Sequence, residues 1–364
     1  MKASIAVLAG DGIGPEVVAE SIKILDAIQD KYAHDFNLTN AMLGGCAIDA
    51  YGTPLPENTL KICQQSDAII MGAVGGPKWD DPNATTRPED GILAVRKSLG
   101  LFANIRPVKV YPSLINSSPI KPDILKGVDM VVLRELTGGL YFGKPKKRWN
   151  TSRGRRGVDT LKYTESEIER ILRVGFELAR NRRKKLTSVD KQNVLESSRL
   201  WREIAIELSA EYSDIELEHI LVDNAAMQLI RNPSSFDVIV SENTFGDILT
   251  DEASVLSGSM GMLPSASLSQ MPGSKSKQIK SSLYEPIHGS APDISGKGIA
   301  NPIGSILSTA MMLRLSFGLE DEASSIENAV DAALSEGYRT PDIASDGGQI
   351  VSTSKMGDVI SRII

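Results

Sequence analysis

Ala3-Ser4-Ile5-Ala6-Val7-Leu8-Ala9-Gly10-Asp11-Gly12-Ile13-Gly14-Pro15-Glu16 joins a short apolar run to a glycine-rich turn. Near-continuous apolar character over 3–9 predicts a buried strand. The run stops at Asp11 and is too brief to read as a signal sequence. The glycines invite a dinucleotide-binding fingerprint, but that pattern needs a third glycine where Pro15 stands and spaces the others differently. A Rossmann fold is therefore set aside. A tight turn with proline at the first helical position explains the same residues and predicts an amphipathic helix from about Pro15 to Asp30.

Outward from this unit, strand-like runs at 36–43 and 67–73 flank a helical pattern near 56–65. Further strands are predicted at 101–105, 128–133, 186–189 and 236–240, and helices over 165–183, 197–211, 301–317, 320–336 and 355–364. Such alternation is an α/β pattern. The stretch 264–278 reads as a Ser-rich loop, and 284–293 as a loop bracketed by prolines. Ser257-Gly258-Ser259 marks a domain boundary, and 364 residues are enough for two domains or lobes.

Hydrophobic residues make up 41% and charged residues 24%, which excludes disordered and fibrous classes. A net charge of −6 argues against a nucleic-acid or anionic-membrane partner for the chain as a whole. Cys46 and Cys63, with no CxxC spacing and three histidines in all, argue against zinc and against a disulfide framework. A reducing, cytoplasmic setting is expected. No apolar run approaches the roughly 18 residues of a membrane span.

The chemistry gathers after the run at 236–240, in Ser241-Glu242-Asn243-Thr244-Phe245-Gly246-Asp247-Ile248-Leu249-Thr250-Asp251-Glu252. On a helix, Asp247 and Asp251 stand at i and i+4, one turn apart on one face. Their hard oxygens suit Mg²⁺ or Mn²⁺, although a solvated acidic face has the same spacing. Glu89, Ile92, Leu93 and Arg96 form a second stripe at i, i+3, i+4 and i+7. It reads either as a pocket for a ligand with a branched apolar arm and a carboxylate, or as an amphipathic helix with charges at its rim. Arg106 and Arg134 end two predicted strands and are further carboxylate clamps. Glycines at 138, 139 and 143 expose Tyr141, and Lys191 at a strand end is a candidate base. Asp223 lies at the mouth of a helix, where it could be an N-cap. The basic stretch from Lys144 to Arg156 could touch nucleic acid through Trp149, and is read instead as a projecting, solvated arm.

These motifs, in this order and over nearly the whole length, resemble the metal-dependent β-decarboxylating dehydrogenases. The resemblance rests on 10–16, 75–80, 101–107, 134–143, 190–194, 243–252 and 285–302. The loop Gly75-Gly76-Pro77-Lys78-Trp79-Asp80 and the Glu89/Ile92/Leu93 stripe are similar to the isopropylmalate branch. The isocitrate branch has small polar side chains where Ile92 and Leu93 stand.

The resemblance implies a three-layer α/β/α, non-Rossmann fold with a mixed sheet in two domains, 1–101 with 257–364, and 102–256. It implies a homodimer in which Lys191 and Asp223 serve the second copy's active site and the arm near 144–156 packs on that copy, with no nucleic acid and no membrane. Arg96, Arg106 and Arg134 would hold substrate carboxylates, with Ile92, Leu93 and Val194 around the alkyl arm. Asp247, Asp251 and Asp223 would bind Mg²⁺ or Mn²⁺, Lys191 would be the base and Tyr141 the proton donor. NAD would lie along Glu89, His288, Gly289, Ser290, Ala291, Asp293, Ile294, Ala300 and Asn301. At Asp293 a carboxylate accepts from a free ribose 2′-OH and repels a 2′-phosphate. The implied reaction is oxidative decarboxylation of 3-isopropylmalate to 2-oxoisocaproate in leucine biosynthesis, with isocitrate, homoisocitrate or tartrate as alternative substrates. The chain departs from the family at Gln192, where many relatives have alanine, and at Ile92, where leucine is frequent.

Overall fold

The opening run is strand β1 (Lys2–Gly10) in the computed structural model, which describes residues 1–271, 281–345 and 347–364. The turn after it delivers α1 (Gly14–Tyr32), with Pro15 as its second residue. Val17, Ile24 and Ile28 bury one face of that helix at helical spacing. Next come β2 (Asp35–Asn40), α2 (Gly45–Tyr51), α3 (Glu57–Gln65) and β3 (Ala68–Ala73). β1 lies between β2 and β3, parallel to both. Ile5 and Val7 face one core with α1, while Ala6 and Leu8 face a second with Leu43, Cys63, Val95 and Leu99. The strand is thus buried on both faces, as a three-layer fold requires.

The sequence pattern did not predict α2, whose start is set by Asp11. This buried carboxylate accepts from the backbone N–H of Gly45 at 2.7 Å, of Cys46 at 2.7 Å and of Gly75 at 2.8 Å, tying a helix N-terminus to the loop after β3. Asp11→Asn keeps one acceptor oxygen and turns a donor toward an N–H. It is expected to lower stability by about 2 kcal/mol, read as a lower urea midpoint at unchanged slope.

The middle of the chain runs α4 (Pro88–Leu99), β4 (Ala103–Lys109), α5 (Pro122–Leu125), β5 (Asp129–Glu135), β6 (Lys147–Thr151), β7 (Gly154–Val158), α6 (Glu165–Arg180), β8 (Lys185–Asp190), α7 (Glu196–Ser209), β9 (Glu216–Leu221), α8 (Val222–Arg231), β10 (Val238–Ser241) and α9 (Asn243–Ser254). The basic arm is the exposed antiparallel hairpin of β6 and β7. The last part gives β11 (Pro264–Leu268), β12 (Ser282–Pro286), α10 (Ile303–Phe317), α11 (Glu320–Ser335), β13 (Tyr338–Arg339), β14 (Gln349–Ile350) and α12 (Thr353–Ile363).

Ten strands form one mixed sheet in the order β2-β1-β3-β12-β11-β4-β5-β10-β8-β9. Pairing is antiparallel at β12/β11, β11/β4 and β4/β5, and parallel elsewhere. Three expectations are corrected here. Residues 264–268 are not loop but a central strand. Its Ser265 and Ser267 hydroxyls accept from Asn104 Nδ2 at 2.7 and 3.2 Å, so serine sits there at no unpaired cost. Residues 272–278 of that expected loop lie outside the described residues. Tyr284, expected in a loop, is fully buried in β12 with its hydroxyl 2.7 Å from Ser316 Oγ. Arg106 does not end its strand but sits in mid-β4, opposite Val132, while Arg134 is opposite Asn104. The two arginines are therefore diagonal neighbours on one sheet face.

Candidate active site

Glu242 begins α9 by accepting from the Phe245 N–H at 2.8 Å, and the helix then carries Asp247 and Asp251 one turn apart. Asp247 Oδ1 accepts from Arg134 Nη1 and lies 3.8 Å from Arg106 Nη1, and its Oδ2 accepts from the Tyr141 hydroxyl at 2.9 Å. Burial, and then the charge of Asp247, push the Asp251 carboxyl above its ordinary range. Two hard carboxylates one turn apart, whose mutual repulsion Arg106 and Arg134 only partly offset, fit a divalent cation.

Arg106 and Arg134 are 6% and 3% exposed. Burial, followed by the positive charge of Arg134, pulls the Arg106 pKa down to about 10. Arg96 on α4 donates to Glu285 of β12 at 2.9 Å. The Nε atoms of Arg96 and Arg106 are buried with no hydrogen-bond partner, an arrangement suited to an anionic ligand. Beside Arg96, Leu93 is half-buried and Ile92 is buried in the second core.

Tyr141 lies beneath Arg134, whose guanidinium carbon is 5.7 Å from the ring centre. Burial, then Asp247, push its phenol up to about 12, so it stays protonated at neutral pH. Lys191, in the turn after β8, pairs with Asp223 in the first turn of α8 and holds that carboxyl below its ordinary range. Asp223 is thus not the N-cap of α8, which is Leu221. Among the described residues no hydrogen bond or ion pair links Lys191 or Asp223 to the arginine cluster, and no three His, Cys, Asp or Glu side chains of one chain form a metal cage. Val194 is 62% exposed.

The loop after β12 meets the opening turn. Ile13 N–H donates to Ser290 O at 2.9 Å. Gly12 has φ +59°, and a Cβ there would lie 2.0 Å from the same oxygen, so glycine is required. Ala291, at φ +39°, packs with Ile294 on Ile13, Val17 and Ala300. His288 Nδ1 is 2.9 Å from the Gly289 carbonyl, which makes that nitrogen the donor and leaves the buried Nε2 a bare acceptor. Burial also lowers the His288 pKa. Buried Asn301 donates to Asp342 at 3.0 Å, while Gly289 and Asp293 are exposed. Exposed Glu89 reaches Gly75, where an added Cβ would lie 2.8 Å from Glu89 Oε1 and 3.9 Å from Ser290 Oγ.

The structure therefore brings together Arg106, Arg134, Tyr141, Asp247 and Asp251, of which spacing alone linked only the two aspartates. The sequence reading missed Glu285 as the partner of Arg96, Asp342 beside Asn301, and any role for Asn243. A cavity of about 380 Å³ bounded by Ile105, Pro107, Met262, Leu307 and Met311 opens from the other face of β4 and holds none of these side chains.

The family model for isocitrate/isopropylmalate dehydrogenase matches residues 4–360. A 3-isopropylmalate dehydrogenase from Dehalococcoides mccartyi is 60% identical, covering 100% of both chains. One from Geobacillus kaustophilus is 58% identical over 99% of this chain and 95% of its own. Among solved structures, isocitrate dehydrogenase from Methylococcus capsulatus superimposes with a TM-score of 0.86 at 33% identity, covering 99% of each chain. A β-decarboxylating dehydrogenase from Thermococcus kodakarensis gives 0.76 at 35% identity, covering 99% of this chain and 96% of its own. Matched from end to end in sequence and in fold, the chain belongs to the isocitrate/isopropylmalate dehydrogenase family.

Proposed function

We propose that this protein carries out the NAD⁺- and divalent-metal-dependent oxidative decarboxylation of 3-isopropylmalate to 2-oxoisocaproate, CO₂ and NADH, in leucine biosynthesis. One observation carries the substrate class. Arg96, Arg106 and Arg134 face Asp247, Asp251 and Glu285, so a divalent cation leaves the cluster two charges positive, the complement of a diacid dianion. Leu93 beside Arg96 offers the apolar surface that an isopropyl arm needs.

In this reading Asp247 and Asp251 hold Mg²⁺ or Mn²⁺ with Asp223 of a second copy, and the His288–Asn301 loop with Glu89 holds NAD⁺. When bound, the cation supplies positive charge beside the substrate hydroxyl, and NAD⁺ supplies the hydride acceptor. Arg96, Arg106 and Arg134 clamp the two carboxylates. Lys191 of the second copy takes the hydroxyl proton. Tyr141, held protonated, returns a proton to the carbon that has lost CO₂. The exposed apolar side chains Val194, Ile206, Met227 and Ile248 support a homodimer, with the β6–β7 arm laid on the second copy. Strands from 1–101 and 257–364 make one contiguous half of the sheet and those from 102–256 the other, which supports two domains divided there. No described helix is long and apolar enough to cross a membrane, and we place the enzyme in the cytoplasm.

The test is NADH formation from NAD⁺ with 3-isopropylmalate, isocitrate, tartrate and malate, each with Mg²⁺ and with excess chelator. Chelator-sensitive turnover on 3-isopropylmalate is expected, and preference for isocitrate or tartrate would refute the substrate. In the same assay Leu93→Ser should lower kcat/KM for 3-isopropylmalate by about 10- to 100-fold and spare malate. Equal losses on both substrates would remove Leu93 from the pocket.

A further inference from the structure

We infer that Asn243 is a positioning residue whose single side-chain amide sets both a carboxylate clamp and the proton donor. This rests on the dehydrogenase reading above. Asn243 is the first residue of α9 and is 1% exposed. Its Oδ1 accepts from Arg134 Nε at 2.9 Å, its Nδ2 donates to the Gly138 carbonyl at 3.1 Å, and its backbone N–H donates to the Tyr163 hydroxyl at 2.9 Å. A guanidinium only donates and a carbonyl only accepts, so the amide can face only one way.

On the Arg134 side, Nε is held by Asn243 and Nη1 by Asp247. These two bonds fix the plane of the guanidinium and leave Nη2 for a ligand. On the other side, Gly138 is gripped at both ends, its N–H by Glu135 Oε2 at 2.7 Å and its carbonyl by Asn243. Tyr141 lies three residues on, with its hydroxyl on the second oxygen of Asp247. Gly246 keeps this junction tight, since a Cβ there would lie 2.8 Å from Arg134 Cβ. The acceptor end of the amide thus serves substrate binding, and its donor end serves the turn that carries Tyr141.

The two ends can be separated by an isosteric change. Asn243→Asp still accepts from Arg134 Nε but sets a carboxylate oxygen against the Gly138 carbonyl. It is expected to lower kcat about 10-fold with KM for NAD⁺ unchanged, and its added negative charge beside Arg134 also raises KM for 3-isopropylmalate. Asn243→Ala frees both neighbours and should raise that KM about 10-fold and also lower kcat, with KM for NAD⁺ unchanged. Steady-state kinetics on folded enzyme with saturating Mg²⁺ read the split. If Asn243→Ala does not fold, Asn243→Asp decides alone. An unchanged kcat in Asn243→Asp, equal effects in the two variants, or wild-type constants in both would overturn the inference while wild-type turnover left the dehydrogenase reading intact. Absence of wild-type turnover on 3-isopropylmalate would overturn both.

Discussion

Lys191→Ala is expected to lower kcat by about 100- to 10,000-fold, the range for loss of a positioned general base, with little change in KM for NAD⁺. In the proposed reading Asp247→Asn should be comparably inactive, because an amide is a poor cation ligand and keeps only one of the two oxygens that accept from Arg134 and Tyr141. Mixing the two is more informative than either alone. Within one chain Lys191 pairs with Asp223, and no bond joins that pair to the arginine cluster among the described residues. If each site draws Lys191 from the second copy, a heterodimer of the two variants contains one intact site and one doubly defective site. Equal co-refolding of the inactive chains should then restore about a quarter of wild-type activity, since half the dimers are mixed and each has one working site. If Lys191 serves its own chain, every site in the mixture carries a lesion and no activity returns. The recovered rate measures shared catalysis independently of any sizing experiment.

The parts of the fold legible in the sequence are those with a local period. β1, the turn at Gly10–Gly14 and α1 follow from an apolar run, glycines and a helical stripe. The Asp247/Asp251 spacing shows as soon as α9 is taken as a helix. β11 was hidden because buried serines alternate with its buried Ala266 and Leu268, and those serines satisfy Asn104 rather than advertise burial. Tyr284 was hidden by its flanking prolines and histidine, which read as loop. The pairing of Arg96 with Glu285 joins residues 189 positions apart, and no local pattern encodes such a contact. Asp11 and Asn243 both stood inside recognised motifs. Their roles depend on backbone groups of Gly45, Gly75 and Gly138, which have no side chain to read.

Arg106→Leu is expected to separate function from stability. Arg106 is a buried cation with an unpartnered Nε, its ion pair with Asp247 is long at 3.8 Å, and its pKa is pulled down to about 10 by burial and by Arg134. Such a group costs more in desolvation than it recovers. An apolar side chain of similar bulk should therefore be neutral or stabilising by about 1–2 kcal/mol. Asp247 keeps Arg134 and Tyr141, and β4 keeps its pairing with β5. With substrate bound the balance reverses, because a carboxylate would be left facing an apolar side chain without its donor. That should reduce kcat/KM for 3-isopropylmalate by about 30- to 1,000-fold. Arg106→Lys should recover only part of the loss, since an ammonium lacks the planar fork that grips both oxygens. Thermal melts and steady-state kinetics on the same preparations give both readouts. Retained kcat/KM in Arg106→Leu would remove Arg106 from the substrate clamp, and a melting temperature lowered by several degrees would make it a structural arginine instead. A higher melting temperature with a crippled rate would show that the desolvation cost of burying this guanidinium in the sheet is kept for the sake of the ligand.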